Sequence, residues 1–245
     1  MTSGRPASSN AGIPLSFASR VLAGTLLRLF HDGGKVVCRV GIDVEGGEEA
    51  SRHPQSIIAA NHNSLVDTPV VFMTLDRRRR RRTATVGGLD YFRASASQPW
   101  MERLFRRAAI WFIQGAMNVL LIDRKGGEYS ELDRIDALLA DGWSLVIFPE
   151  ATRSRDGRMG RFRLGAAELA RRHNLPIVPA HIAGTDGVLP PGVRWPQPGR
   201  LRVRFGEPLF AEDGESASTF TQRIRGSIER LGEEQVDAAS AGVVL

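Results

Sequence analysis

The sequence predicts an α/β fold: a single domain with a mixed, largely parallel sheet flanked by helices, preceded by an amphipathic N-terminal helix. Short apolar runs of strand length alternate along the chain with longer helix-like segments, which is the pattern of a sheet covered on both faces. The chain has 245 residues, of which 42% are hydrophobic, so it is large enough to bury such a sheet.

The N-terminal region is predicted to have two parts. Residues 1–12 are polar or small and include proline, which favours a disordered tail. Residues 13–33 are predicted to form an amphipathic, membrane-proximal helix, because apolar residues recur there at near-helical spacing. The most hydrophobic part of this stretch, residues 13–30, contains Arg20 and Arg28 and is short for a membrane span. Two interpretations stay open: a helix docked on the domain, or a helix lying in a membrane interface. The start of the chain does not resemble a signal peptide.

The remaining chain is predicted to contain a main domain, residues 34–210, and a C-terminal helical extension, residues 211–245. Alternating or continuous apolar character predicts strands at residues 36–44, Ile57–Ala60, 83–87, Val119–Ile122, 144–148, 176–183 and 201–205. Helical patterns predict helices at residues 69–75, 98–107, 130–142, 165–173 and 220–231. The six arginines at positions 77–82 are expected to close the helix that begins at residue 69.

The net charge of +6 is carried almost wholly by arginine, since Lys35 and Lys125 are the only lysines. Arginine binds phosphate and carboxylate groups well, so an anionic partner is expected. The run at 77–82 fits either a solvated helix end or a contact with an anionic membrane surface. Nucleic acid is not expected, because no base-stacking aromatic motif accompanies the arginines. Cys38, the single cysteine, excludes a disulfide within the chain and a Cys-cluster zinc site, and it favours the cytoplasm.

A histidine and an aspartate five residues apart follow the predicted strand Ile57–Ala60. The carboxylate of Asp67 can hold one imidazole nitrogen of His62 while the other nitrogen accepts a proton. Spacing alone does not select this pair, because His181 and Asp186 show the same separation. Asp67 can equally cap a helix together with Ser64, and these two roles are compatible. A further capping alternative places Thr68 at the cap, just before a proline.

A second polar segment, residues 148–154, follows the predicted strand at 144–148. Its Glu150 and Arg153 could form a structural ion pair or hold an anionic substrate group. Arg124 follows the strand Val119–Ile122 in the same way. Because the carboxyl ends of parallel strands share one edge of a sheet, these side chains are expected to converge with His62.

These residues resemble the glycerolipid acyltransferase family, the 1-acyl-glycerol-3-phosphate acyltransferase-like proteins. Residues 61–67 resemble the family's first motif, and three further segments resemble its second, third and fourth motifs in order: residues 118–124, 148–154 and 175–179. The resemblance covers residues 35–210, so the main domain is interpreted as an acyltransferase domain. It implies catalytic roles for His62 and Asp67, and substrate binding by Asn61, Ser64, Arg124, Glu150, Thr152 and Arg153.

The resemblance further implies the reaction and its partners. A fatty acyl group would pass from an acyl thioester to a hydroxyl of a lysophospholipid, 1-acylglycerol-3-phosphate being the leading acceptor. Acyl-CoA or acyl carrier protein would be the donor, with no cofactor and no metal. His62 would act as general base and Asp67 would orient it; the chain contains no Gly-x-Ser-x-Gly elbow for a covalent intermediate. The expected location is the cytoplasm, with peripheral association at the inner face of the cell membrane.

Two departures from the family pattern leave the acceptor open. Ala151 stands where the third motif usually has glycine, and residues 86–92 lack the lysine that often binds the acceptor phosphate. One alternative is an acceptor without a phosphate, such as another lipid or a glycolipid. Another alternative is a non-catalytic membrane-binding module, against which the intact His62 and Asp67 speak.

Overall fold

A computed structural model describes residues 22, 24–26, 39–64, 66–88, 104, 111, 114–122, 129–154, 158–189 and 197–241. Its strands are β1 (Val40–Glu45), β2 (Ile57–Ala60), β3 (Thr83–Gly88), β4 (Val119–Ile122), β5 (Ser144–Ile147), β6 (Ile177–Ala183) and β7 (Gly199–Phe205). Its helices are α1 (Glu49–Arg52), α2 (Asp67–Thr74), α3 (Arg77–Arg81), α4 (Tyr129–Ala140), α5 (Gly165–His173), α6 (Thr185–Val188) and α7 (Ala217–Ala241).

The seven strands form one sheet in the order β1-β7-β6-β2-β5-β3-β4. The pair β6 and β7 is antiparallel, while every other neighbouring pair is parallel. Strands β2 to β6 therefore share one direction, and β1 and β7 run against them. The predicted mixed, largely parallel sheet is confirmed. The edge at which β2 to β6 end is called the carboxyl edge below, and the opposite one the amino edge.

Strand β2 lies in the middle of the sheet and is buried on both faces, as its continuous apolar sequence predicts. Ile58 and Ala60 pack in one core layer with α2, whereas Ile57 and Ala59 pack in the other with α4, α5 and α7. All four side chains are fully buried. The end of β2 is thus a rigid platform for the residues that follow it.

The arginine run forms a helix of its own, so the expectation that it closes the preceding helix was wrong. The backbone of Leu75 is extended, so α2 ends before the arginine run begins. Asp76 then caps α3 by accepting the N–H groups of Arg78 and Arg79. Arg79 is buried, and its guanidinium donates to the backbone oxygens of Ala50 and His53 and to the Ser56 hydroxyl. Burial lowers the pKa of Arg79, against the opposing effect of Asp76.

Helix α3 lies at the amino edge. Ser56, bonded to Arg79, precedes β2, and Asn118, whose amide donates to the Arg80 oxygen at 3.1 Å, precedes β4. Arg82 pairs at 3.2 Å with Asp141, just before β5. The arginine run is therefore at the far side of the sheet from any site built on strand ends.

The predicted tail at 1–12 lies outside the described residues. Most of the predicted helix at 98–107 and most of residues 13–33 lie outside them too, although Leu104, Leu22 and residues 24–26 are described and helical. The boundaries of the predicted domains stay predictions. Helix α7 begins earlier and ends later than the predicted 220–231, and the short helices α1 and α6 were not predicted. In the described ranges, no helix is at once long enough and apolar enough to cross a membrane.

Candidate active site

Asn61 follows the last residue of β2, and its side chain bonds to the neighbouring strand β6. Its amide nitrogen donates to the Ile182 oxygen at 2.9 Å, and its amide oxygen accepts the Ile182 N–H at 2.7 Å. The side chain thus mimics a backbone pairing with β6 and is buried. Asn61 fixes the point at which the chain leaves the sheet, one residue before His62.

One carboxylate oxygen of Asp67 bonds to three residues of the turn that follows β2. Oδ2 lies 2.9 Å from Nδ1 of His62, and it accepts the N–H groups of Asn63 and Ser64 at 2.7 and 2.8 Å. Asp67 is fully buried, whereas the His62 side chain is 19% exposed. The two proposed roles of Asp67 coexist, because the carboxylate stabilises the turn and holds the imidazole at the same time. Helix α2 begins at Asp67, so Thr68 is not its cap.

The contact with Asp67 determines which nitrogen of the imidazole is available to accept a proton. With Nδ1–H donating to the carboxylate, Nε2 carries the lone pair, and it has no hydrogen-bond partner in the described ranges. The ring stacks on Phe148, with centroids 4.3 Å apart and planes at 24°. A histidine that is oriented by a buried carboxylate, and whose Nε2 has no hydrogen-bond partner among the described residues, can accept a proton from a hydroxyl group.

Glu150 joins the segment after β5 to the one after β2. Its Oε1 accepts the backbone N–H of His62 at 2.9 Å, and its Oε2 accepts that of Gly160 at 2.8 Å. The carbonyl oxygen of His62 accepts the N–H of Ser154 at 2.8 Å. Both peptide groups of His62 are therefore held by the 148–160 segment. This clamp could not be predicted from the sequence, because it depends on the alignment of β2 with β5.

The turn after β5 places the other predicted residues near the carboxyl edge. The N–H of Ala151 bonds the Phe148 oxygen at 3.0 Å, and Ala151 has a φ of 59°, in the left-handed region that favours glycine. Thr152 follows as an exposed residue and Arg153 as a half-buried one. Ser64 is buried, with its hydroxyl 3.5 Å from the Leu189 oxygen. Arg124 lies outside the described residues; β4, which precedes it, ends at this same edge.

The second pair with the same spacing has a different environment. His181 belongs to β6, and its ring lies against α7, where a Cβ on Gly232 would be 2.8 Å from Nε2. Asp186 is an exposed residue in the first turn of α6. His181 is therefore a packing residue of the sheet, and the site belongs to His62. No group of three His, Cys, Asp or Glu side chains placed to hold a metal ion occurs in the described ranges.

A family model described as Acyltransferase matches residues 41–183, which include the His62 turn and Glu150. The chain belongs to the acyltransferase family. Acyltransferase relatives include the chloroplastic 1-acyl-sn-glycerol-3-phosphate acyltransferase of Brassica napus, 35% identical over 40% of this chain and 28% of its own. The 1-acyl-sn-glycerol-3-phosphate acyltransferase of Limnanthes douglasii is 27% identical over 74% of this chain and 59% of its own. The chain thus spans less than two thirds of the length of either relative.

The acyltransferase fold is supported by a solved structure. The crystal structure of the 1-acyl-sn-glycerophosphate (LPA) acyltransferase of Thermotoga maritima matches with a TM-score of 0.68 and 22% identity. The match covers 89% of this chain and 81% of that one. At this level of identity the comparison bears on the fold alone. It agrees with the predicted α/β architecture.

Proposed function

We propose that the protein is an O-acyltransferase that moves a fatty acyl group from a thioester to a hydroxyl of a lysophospholipid in phospholipid biosynthesis. The observation that carries the proposal is the pair formed by His62 and Asp67 at the carboxyl edge, in which Nε2 of His62 has no partner among the described residues. Membership of the acyltransferase family supports the reaction class. The names of the relatives support 1-acylglycerol-3-phosphate as the acceptor.

In the proposed reaction, Nε2 of His62 takes the proton of the acceptor hydroxyl as its oxygen attacks the thioester carbonyl. The buried Asp67 carboxylate stabilises the imidazolium that forms and keeps the ring oriented. When the tetrahedral intermediate collapses, the carbon–sulfur bond breaks and His62 returns the proton to the leaving thiolate. An ester and a free thiol result, so the step needs no cofactor. Acyl-CoA or acyl carrier protein serves as the donor.

The remaining predicted residues divide into two groups by their contacts. The side chains of Asn61 and Glu150 are bonded to backbone groups inside the protein, and Ser64 is buried within the turn, so we assign these residues to positioning His62. Thr152 and Arg153 follow the turn at the carboxyl edge, and Arg124 follows β4. We assign these three to binding the polar head of the acceptor.

The acceptor is the open part of the proposal. Residues 86–92 contain no lysine, so the lysine that often binds the acceptor phosphate in the family is absent from this stretch. A matrix of acceptors against acyl-CoA and acyl carrier protein donors tests this point, with His62→Ala as the blank. Transfer to 1-acylglycerol-3-phosphate that is absent in the blank supports the leading proposal. Transfer to uncharged acceptors only would reject it, and no transfer to any acceptor would reject the enzyme.

We further propose that the protein works in the cytoplasm as a peripheral protein at the inner face of the cell membrane, where its lipid acceptor resides. The basic composition and the exposed Leu22 and Leu26 in the N-terminal helical residues support a membrane contact. Flotation of the full chain with anionic liposomes tests this association. Protein that stays at the bottom of the gradient would reject it.

A further inference from the structure

A short segment beside the site, residues 160–164, is fastened to the carboxyl edge through its backbone. Gly160 donates its N–H to Oε2 of Glu150 at 2.8 Å, and Arg163 donates to the Pro149 oxygen at 2.9 Å. The other oxygen of Glu150 accepts the backbone N–H of His62. A single carboxylate therefore links this segment to the proposed base. Helix α5 begins directly after it, at Gly165.

The side chains of this segment divide sharply between core and solvent. Phe162 is 6% exposed and packs in the core layer of α4, α5 and α7. Arg161 and Arg163, on either side of it, are exposed, and Leu164 is 42% exposed. Neither arginine has an ion-pair partner among the described residues. Glu168, the acidic residue of the first turn of α5, is exposed and pairs with neither arginine.

Two unpaired cations next to an exposed apolar side chain have the chemistry of a bilayer contact. Arginine binds lipid phosphates, and a neighbouring leucine can enter the boundary between headgroups and acyl chains. The arginine run of α3 has comparable exposed cations, Arg77 and Arg78, but it lies at the amino edge. A bilayer that delivers a lipid to His62 faces the carboxyl edge, so it cannot touch α3 in the same orientation.

We propose that Arg161, Arg163 and Leu164 form the surface that contacts anionic headgroups of the bilayer, and that the arginine run of α3 does not. The choice of a lipid surface as the partner rests on the proposed function. The position beside the site and the charge of the segment are independent of it. Lipid would then enter from the carboxyl edge, and the sheet would stand with its amino edge in the cytoplasm.

The experiment compares two double variants that lose the same charge at opposite edges. Arg161→Gln with Arg163→Gln is compared with Arg77→Gln with Arg78→Gln in the full chain, so the N-terminal helix is identical in both. Flotation uses phosphatidylglycerol-containing vesicles, pure phosphatidylcholine vesicles, and low and high salt. We expect the first pair to lower partitioning to anionic vesicles about 30-fold at low salt and the second to change it less than threefold. Melting temperatures establish that both variants are folded.

The opposite ranking, equal losses, or no loss in either pair would overturn the assignment. So would a wild-type chain that ignores anionic vesicles. If the first pair binds vesicles normally but raises KM for a short-chain, water-soluble acceptor, the arginines serve the acceptor and the membrane surface is elsewhere. Repeating the flotation with His62→Ala in every variant separates the two proposals. Vesicle binding in this background is independent of acyl transfer, and acyl transfer to soluble acceptors is independent of vesicle binding.

Discussion

The backbone N–H of His62 donates to Oε1 of Glu150 at 2.9 Å, so the carboxylate that follows β5 holds the main chain of the proposed base. The second oxygen of Glu150 is taken by Gly160 at 2.8 Å. Since both oxygens accept backbone N–H groups, this carboxylate is occupied within the protein. Its removal should disturb the placement of the imidazole before it disturbs the acceptor.

Replacing Glu150 by Gln should lower kcat and leave KM for the acceptor nearly unchanged. One N–H loses its acceptor because the amide offers a single oxygen. The imidazole would then shift, and a displacement of about 1 Å costs on the order of 100-fold in rate. Steady-state kinetics with varied acceptor provides the measurement. A rise in KM with kcat preserved would instead make Glu150 a substrate-binding residue, as the family resemblance first implied.

The matched control is Glu168→Gln in the first turn of α5, where the carboxylate is exposed. This variant loses the same charge away from His62. Its kcat and KM should both equal those of the wild type, and its melting temperature should change little.

Replacing Asp67 by Asn should abolish most of the activity while keeping the turn. The amide oxygen can still accept the N–H groups of Asn63 and Ser64, but the amide cannot stabilise an imidazolium and favours the wrong tautomer of His62. In a related Asp–His arrangement the same change costs about 10⁴ in kcat, and we expect a fall of at least 10³ here. Acyl transfer and thermal unfolding of the same preparation report on the two effects separately.

The control for this prediction is Asp186→Asn, which alters the other aspartate at the same spacing from a histidine. Asp186 is exposed and belongs to α6, so activity should be unchanged. Equal losses in the two aspartate variants would contradict the assignment of the site to His62.

The sheet could be predicted from the sequence because its strands carry their own signal. Runs such as Ile57–Ala60 contain no polar side chain, and this continuous apolar character predicts a strand that is buried on both faces of the sheet. The arginine run could not be assigned in this way. Whether Arg79 is solvated or buried depends on Ala50, His53 and Ser56, which are 23 to 29 residues away in the chain. The cap at Asp76 was not predicted, although an aspartate before a helix commonly accepts the first N–H groups of that helix.

The pairing of His62 with Asp67 could be predicted because it is local: five residues of turn bring the two side chains together. The clamp by Glu150 could not, because it joins residues 88 positions apart. It exists because β2 and β5 are neighbours in the sheet, with Ala59 aligned to Ile147. The five-residue spacing alone did not distinguish His181 from His62. The neighbours of His62 in residues 61–67 did so in the sequence, and the packing of His181 against Gly232 of α7 does so in the structure.

Ala151 offers a prediction about stability. Its φ of 59° places Cβ in an unfavourable position, so Ala151→Gly should relieve strain of roughly 1 kcal/mol, offset in part by the greater freedom of glycine in the unfolded chain. We expect a net stabilisation of about 0.5 kcal/mol in denaturant unfolding. Ala137→Gly on the exposed side of α4 is the control, since it should destabilise by about 1 kcal/mol. If the Ala151→Gly variant were less stable than the wild type, the backbone of Ala151 would not be strained.

Arg79 and Arg78 are neighbours in the same run, yet their substitution should have very different effects. Arg79→Met leaves the oxygens of Ala50 and His53 and the Ser56 hydroxyl without their buried donor, which should cost about 3 kcal/mol of unfolding free energy. Arg78→Met removes an exposed guanidinium and should change stability by less than about 0.5 kcal/mol. Urea unfolding of both variants measures the difference. Since α3 lies at the amino edge, Arg79→Met should lower stability without changing KM for the acceptor in the fraction that stays folded. If Arg78→Met proved the more destabilising, the buried position of Arg79 would be wrong.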